Sequence, residues 1–228
     1  MLRNTQRVLV WDGLVRLFHW GLLVAVAFSY YTTKTDGAPF LFPIEVHAQA
    51  GYIIIGLLVF RVIWGFVGSF YARFSTFLYP PSKTAVYAKA LLIRRASPYA
   101  SHNPLGGWMV ILLLLSLAFQ SVSGLFLSDD IFFQGPLYSF VGRDISREIA
   151  SLHALNSDFL LILIGLHVAA LVAHKLLGEG LVSAMVTGAK RFQQPPVDLV
   201  SARIRVRRVQ AGAALLIAVG VTGWLWFY

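Results

Sequence analysis

The sequence predicts an all-α membrane protein: a four-helix transmembrane bundle followed by a fifth, C-terminal transmembrane helix. Three observations predict it. Of 228 residues, 57% are hydrophobic and only 13% charged, against about 25% charged in a soluble domain. Five apolar stretches are long enough to cross the roughly 30 Å of a bilayer's hydrocarbon. Four histidines, His19, His47, His153 and His167, fall at places on those stretches where neighbouring helices pair them by depth.

The first span covers Leu14–Thr33, uncharged between Arg16 and Lys34, and the second covers His47–Val67, interrupted only by Arg61. The third, Leu105–Leu127, follows Pro104 within the uncharged stretch from Ala96 to Ser128. The fourth, Ile149–Leu177, carries Asp158 inside it. The fifth, Val209–Tyr228, closes on Trp224, Trp226, Phe227 and Tyr228, a composition suited to the membrane–water interface. Three regions follow: residues 8–178 as the bundle, 179–208 as a basic segment and 209–228 as the fifth helix. Pro80-Pro81 and Pro195-Pro196 read as rigid turns in the two basic loops. The segment Asp129–Glu148 mixes aromatics with charges of both signs, as a short amphipathic element lying on the membrane surface does.

Charge gives the orientation. Two basic residues precede the first span, five lie in the 68–104 loop and seven in 175–208. The opposite side has three (Lys34, Arg143, Arg147) against six acids (Asp36, Glu45, Asp129, Asp130, Asp144, Glu148), a net charge of −3 there. The positive side is cytoplasmic, which places the N-terminus inside and, after five spans, the C-terminus outside. The overall charge of +9 thus belongs to membrane topology and predicts no nucleic-acid partner. The first span lacks a small-x-small cleavage site after its apolar run and reads as an uncleaved anchor. The chain has no cysteine, which excludes disulfides, iron–sulfur clusters and covalent c-type haem.

His153 and His167 are fourteen residues apart. On a helix that is about 1400°, some 40° short of four turns, with an axial offset of about 21 Å. One face of the fourth span therefore carries an imidazole near each membrane surface, as two stacked haems require of a shared helix. On the predicted topology His47 meets the depth of His153 on the outer side, and His19 that of His167 on the inner side. Polar groups in hydrocarbon are costly and mark function, so the four read as two pairs of haem ligands. The alternative for each is a helix-packing hydrogen bond.

His174 lies seven residues past His167, close to the same face, but beside Lys175 at the basic boundary; His167 is the preferred ligand. His102 reads as a solvated loop histidine, with a proton-handling role at a quinone pocket as the alternative. Arg61 lies fourteen residues after His47 and so shares its face at the inner level, where a haem propionate is a natural bidentate partner. Arg16, three residues before His19, has the same option, and for both the alternative is snorkelling to headgroups. Asp158 reads equally as a protonated helix–helix hydrogen-bonder or as a proton relay. Gly51, Gly56, Gly65, Gly124 and Gly165 permit close approach of a backbone or macrocycle.

Residues 8–77, with Val10-Trp11-Asp12, Arg16-Leu17-Phe18-His19-Trp20, Val46-His47, Phe60-Arg61 and Trp64-Gly65-Phe66-Val67-Gly68, resemble the bacterial cytochrome b561 family. The similarity is nearer to its hydrogenase-type cytochrome b members. Ser151-Leu152-His153 and Ile164-Gly165-Leu166-His167 look like that family's ligand-bearing fourth helix. Over residues 8–178 the resemblance implies a four-helix bundle holding two non-covalent b-type haems, each between two histidines: His19, His47, His153 and His167. It implies electron exchange between ubiquinone or menaquinone and a redox partner, in a bacterial inner membrane. That partner would be a c-type cytochrome on the periplasmic side or a dehydrogenase or hydrogenase subunit. The protein would then be an electron-transfer component rather than a self-contained enzyme. Two other readings stay open: a small stand-alone quinone oxidoreductase that oxidises superoxide, and a histidine-lined metal transporter.

Overall fold

Each apolar stretch forms a helix, because in hydrocarbon a backbone amide finds no acceptor but the carbonyl one turn back. The computed structural model describes residues 6–33, 42–200 and 206–228; Arg3, Lys34, Asp36, Arg203 and Arg205, which enter the charge asymmetry above, lie outside them. In chain order the elements are β1 (Gln6–Leu9), α1 (Gly13–Thr33), α2 (Ile44–Val67), a 3₁₀ turn (Phe70–Ala72), α3 (Phe74–Phe77) and α4 (Pro81–Leu92). There follow α5 (Pro104–Gly124), a second 3₁₀ turn (Tyr138–Phe140), α6 (Gly142–Leu176), α7 (Leu181–Thr187), β2 (Ala189–Phe192) and α8 (Arg208–Phe227). Five of these, α1, α2, α5, α6 and α8, are long and apolar enough to cross a membrane.

Two differences from the sequence-based expectation have clear causes. Asp129–Glu148 is not a separate surface element, since its last seven residues are the first two turns of α6. At 35 residues that helix is about 52 Å long and outruns the hydrocarbon. Asp144 in its first turn suits the positive end of the helix dipole. Arg143 and Arg147, on the same turns, hold Asp130 at 2.8 and 3.3 Å. The basic 179–208 segment is likewise no plain linker. It contains α7 and then β2, which pairs antiparallel with β1 from Gln6↔Phe192 to Leu9↔Ala189. Pairing across that sequence distance leaves no local signal in two four-residue strands. Gly188, at φ 81°, ends α7 in the left-handed region open to glycine. Its carbonyl accepts the amides of Val10 (2.8 Å) and Trp11 (3.0 Å).

The chain divides into two compact units. The first comprises Met1–Leu17, Val62–Leu112 and Ile164–Ala211, and the second Phe18–Arg61, Leu113–Leu163 and Gly212–Tyr228. In the first, buried Asp12 organises the start of α1. One carboxylate oxygen caps the helix at Val15 N (2.9 Å), and the other accepts Trp64 Nε1 (3.1 Å) and the Ser69 hydroxyl. Asn103 caps α5 through Gly106 N (2.8 Å), with Pro104 at the position that needs no amide. Asp198 accepts Ala100 N (2.6 Å) and Ser101 N (2.9 Å). Lys190 Nζ donates to the Ser101 carbonyl at 2.8 Å and lies 5.7 Å from the Trp11 ring centre. Burial pulls that ammonium down to about 8, against the opposing pull of Glu179 and Asp198.

In the second unit α2 and α8 approach at Gly56, where any Cβ would collide with the Thr222 hydroxyl. Helices α5 and α6 are joined by Asn156, which donates to Ser116 O (3.0 Å) and Gln120 Oε1 (2.7 Å) while its own oxygen accepts the Ser116 hydroxyl (3.0 Å). Interhelical bonds of this kind hold apolar helices in one register, since hydrocarbon supplies no other partner.

Candidate functional site

The second unit brings His47 of α2 and His153 of α6 together, with ring centres 6.4 Å apart and ring planes at 81°. Both rings are half-buried. Each is held by hydrogen bonds at Nδ1. His47 Nδ1 lies 3.1 Å from the Ser29 carbonyl, 3.2 Å from Thr32 Oγ1 and 3.3 Å from Ser29 Oγ. A carbonyl only accepts, so Nδ1 carries the proton. Thr32 agrees, since its own hydroxyl hydrogen goes to the Ser29 carbonyl at 2.6 Å. His153 Nδ1 lies 2.9 Å from Ser123 Oγ. The Ser123 hydrogen is directed to Gln120 O at 3.0 Å, so here too Nδ1 donates.

With both protons on Nδ1, the unprotonated nitrogen of each ring is Nε2, the form that ligates a metal. The 6.4 Å between ring centres is close to the sum of two metal–imidazole bonds of about 2 Å each and the two ring radii. These two residues would therefore be able to hold one haem iron between them. Gly124, beside Ser123, lies against this ring: a Cβ there would make ordinary contact at 3.5 Å from His153 Cε1. Gly51, one turn along α2 from His47, has no atom within 4 Å of where its Cβ would stand, which suits a flat macrocycle. Gly165 is equally open, whereas Gly56 and Gly65 meet neighbouring side chains and serve packing.

The other expected site residues separate by role. His19, on α1 in the second unit, is half-buried, with its ring edge-on to Trp20 at 5.4 Å. His167, on α6, is half-buried and belongs to the first unit. Arg61 on α2 is only 4% exposed, so its guanidinium does not snorkel to headgroups. Arg16 donates Nη1 to the Val186 carbonyl at 2.6 Å, near the end of α7, while its buried Nε has no hydrogen-bond partner among the described residues. Asp158 is exposed, and nine residues from His167 it stands about half a turn round from that residue's face. Helix–helix bonds of the kind that one reading gave to Asp158 are made by Asn156.

Two histidines are held by the protein itself. His174, 8% exposed, has Nε2 at 3.3 Å from Asn103 Nδ2, and its Nδ1 lies 3.3 Å from Glu179 Oε2, an ion-pair distance outside hydrogen-bond geometry. The contact with His174 draws the Glu179 carboxyl below its usual range against the effect of burial. His102 is not a solvated loop residue. It packs between Trp11 and Phe77, with ring centres at 4.8 and 4.7 Å, because the short segment before α5 folds back onto the β1–α1 corner.

Sequence reasoning passed over Ser29, Thr32 and Ser123. Their signal was present as hydroxyls inside apolar spans, with Ser29 and Thr32 three apart and so on one helix face.

The profile of the prokaryotic cytochrome b561 family matches residues 10–188. Among curated proteins, the chain is 26% identical over 230 residues to a "probable Ni/Fe-hydrogenase B-type cytochrome subunit" of Azotobacter vinelandii, spanning 86% of this chain and 94% of that protein. It is 25% identical over 222 residues to a protein of the same name from Rhizobium leguminosarum bv. viciae, spanning 82% of this chain and 90% of the relative. No solved structure matches.

Proposed function

The chain belongs to the prokaryotic cytochrome b561 family and is a multi-pass membrane b-type cytochrome of electron transfer; from that premise we propose that it holds two haems and links the quinone pool to a hydrogenase-type partner. The observation that carries the reading is the His47–His153 pair, with both Nδ1 protons turned away and both Nε2 lone pairs available. Haem b supplies reversible one-electron exchange at its iron. The chain supplies the rest. His47 and His153 would hold one haem between them, and a haem held by two imidazoles would exchange electrons without binding oxygen. Ser29, Thr32 and Ser123 fix the ring planes and, by accepting the Nδ1 protons, raise the basicity of the ligating nitrogens. Apolar helices keep water away and so tune the potential.

His19 and His167 are the proposed ligands of the second haem. Arg61, a buried cation on the helix of His47, and Arg16, through its buried Nε, are the proposed propionate contacts. A hydrogenase-type assembly is favoured over a stand-alone quinone oxidoreductase because the relatives above are named as subunits and match over nearly their whole length. Family membership sets the metal transporter aside. The basic loops support a cytoplasmic N-terminus and, with five spans, an outside C-terminus; a reporter fused at Tyr228 that is active only in the cytoplasm would defeat the five-span topology and demote the last span.

The test is haem stoichiometry. Purified protein should give two b-type haems per chain by pyridine haemochrome. His47→Ala and His153→Ala should each remove the same one, and His19→Ala and His167→Ala the other. Loss of the same haem from His47→Ala and His167→Ala would break the pairing.

A further inference from the structure

A second site lies on the other side of α2 from His47. Glu45, Gln49 and Tyr52 stand about 140–200° round the helix from it. They line a cavity of about 380 Å³ together with Gln134, Trp226 and other residues of the 133–139 loop and the end of α8. Every lining residue belongs to the second unit. The lining has one formal charge, the Glu45 carboxylate, and no lysine, arginine or histidine; the remaining polar groups are neutral amides and hydroxyls beside Tyr52, Phe133, Trp226 and Tyr228. A lone carboxylate among aromatic rings selects an ammonium group, which the negative faces of the rings attract. A headgroup with net negative charge finds no cation in this lining, only neutral amides for its phosphate.

We propose that this cavity binds the headgroup of a zwitterionic aminophospholipid, with the ammonium held by Glu45 and the aromatic rings and the phosphate by the amides of Gln49 and Gln134. The depth fits. Glu45 is in the first turn of α2 and Trp226 in the last turn of α8, the level where charged residues and tryptophan meet headgroups. The volume also fits, being near the lower end of small-ligand cavities, enough for a headgroup and not for acyl chains. Neither haem nor quinone enters the argument, so the proposal stands or falls separately from the electron-transfer reading.

The holoprotein is reconstituted in nanodiscs holding equal amounts of phosphatidylethanolamine and phosphatidylglycerol with identical acyl chains, and the lipids that stay bound are counted by native mass spectrometry. Wild type is expected to keep phosphatidylethanolamine over phosphatidylglycerol by about threefold or more, the size of one cation–π contact. Glu45→Gln and Trp226→Ala should each bring the ratio to about one, while an unaltered reduced b-type spectrum shows that the fold and haems are intact. Glu45→Asp should retain the preference. Added phosphoethanolamine that displaces the lipid would make a soluble amine an equal source of the same chemistry; failure to displace it would assign the site to the bilayer. A ratio near one in wild type, or a wild-type preference that survives both substitutions, overturns the proposal.

Discussion

Two pairs of histidines in this chain are held in different ways. In the second unit, His47 and His153 each have Nδ1 bound to a neighbouring helix and ring centres 6.4 Å apart. In the first, His174 has Nε2 against the Asn103 amide and Nδ1 beside Glu179, and His102 is wedged between two aromatic rings. Position in a helix does not separate these cases, since His174 shares nearly the same face of α6 as His167. What separates His174 from His47 and His153 is Nε2, which Asn103 occupies in His174 and which the bonds at Nδ1 leave over in the other two. A histidine fixed at Nδ1 with Nε2 left over is a ligand in waiting; one whose Nε2 is taken by the protein is part of the packing.

The largest effect expected from this contrast is on haem content. His47→Ala or His153→Ala should halve it. His174→Ala should leave it unchanged and act instead on stability, because it strips partners from Asn103 and Glu179. Normal haem content in His153→Ala, or a lost haem in His174→Ala, would dissolve the distinction.

Next in size is a stability effect confined to the first unit, where buried polar groups hold loops rather than cofactors. Lys190 titrates near 8 in the folded chain, against an ordinary 10.5. Below about 8 the fold must bury an ammonium. Between about 8 and 10 the unfolded chain binds a proton that the folded chain has released, so stability rises with pH through that window. The integrated effect is on the order of 3 kcal/mol. The Tyr79 and Tyr87 phenols, pushed up to about 12 chiefly by burial, turn the slope downward above pH 10. The apparent melting temperature of the purified protein should therefore climb from pH 8 toward 10. Lys190→Met should flatten that climb, and an unchanged slope in the variant would remove Lys190 as its cause.

Much of this was legible in sequence, for physical reasons. Hydrocarbon forces helices on apolar stretches, so all five spans could be read, with ends displaced by a few residues. The fourteen-residue spacing of His153 and His167 is a property of one helix and needs no tertiary knowledge. The β1–β2 pairing, the 35-residue length of α6 and the packing of His102 were hidden, since each depends on contacts between distant residues. Ser123 is the instructive miss. A hydroxyl in a span reads as harmless because it can bond its own helix, as it does to Gln120 O. Only the position of His153 shows that the same oxygen also orients a ligand. Asp158 errs in the other direction: the carboxylate attracted notice, yet the interhelical bonds belong to Asn156, two residues earlier.

Those hydroxyls give the third prediction. Ser123→Ala strips His153 of its 2.9 Å contact at Nδ1 and leaves the Gln120 carbonyl beside the ring, and Ser29→Ala with Thr32→Ala reduces His47 to the Ser29 carbonyl. Losing such a support weakens binding at the metal by about 10–100-fold in comparable sites. Ser123→Ala should therefore lower haem affinity within that range and shift one reduction potential. The serine/threonine double variant should do less, because the carbonyl at 3.1 Å is the nearest of the three acceptors of His47 Nδ1. Equal effects of the two, measured by apo-protein titration with haemin, would mean that the carbonyl contributes nothing to holding His47.

The smallest expected effects lie at the acidic end, where charge and apolar surface can be told apart kinetically. Asp129 accepts the amides of Ile131, Phe132 and Phe133 at 3.0, 2.9 and 2.7 Å, which holds its carboxyl below the usual range. The turn so formed lifts Ile131 and Phe132 into the open, 75% and 89% exposed, and Asp144 and Glu148 follow on the first turns of α6. If a basic redox partner docks here, the acids act on approach and the aromatic side chain on residence. Neutralising Asp144 and Glu148 should then slow association a few-fold at low ionic strength and leave dissociation alone, because steering over a distance is screened by salt. Phe132→Ala should do the reverse, speeding dissociation at every salt concentration. Stopped-flow oxidation of the reduced cytochrome by a small basic c-type cytochrome reads both rates. A rate indifferent to salt would exclude charge-steered docking, and a Phe132→Ala variant that dissociates like wild type would return that side chain to the headgroup layer.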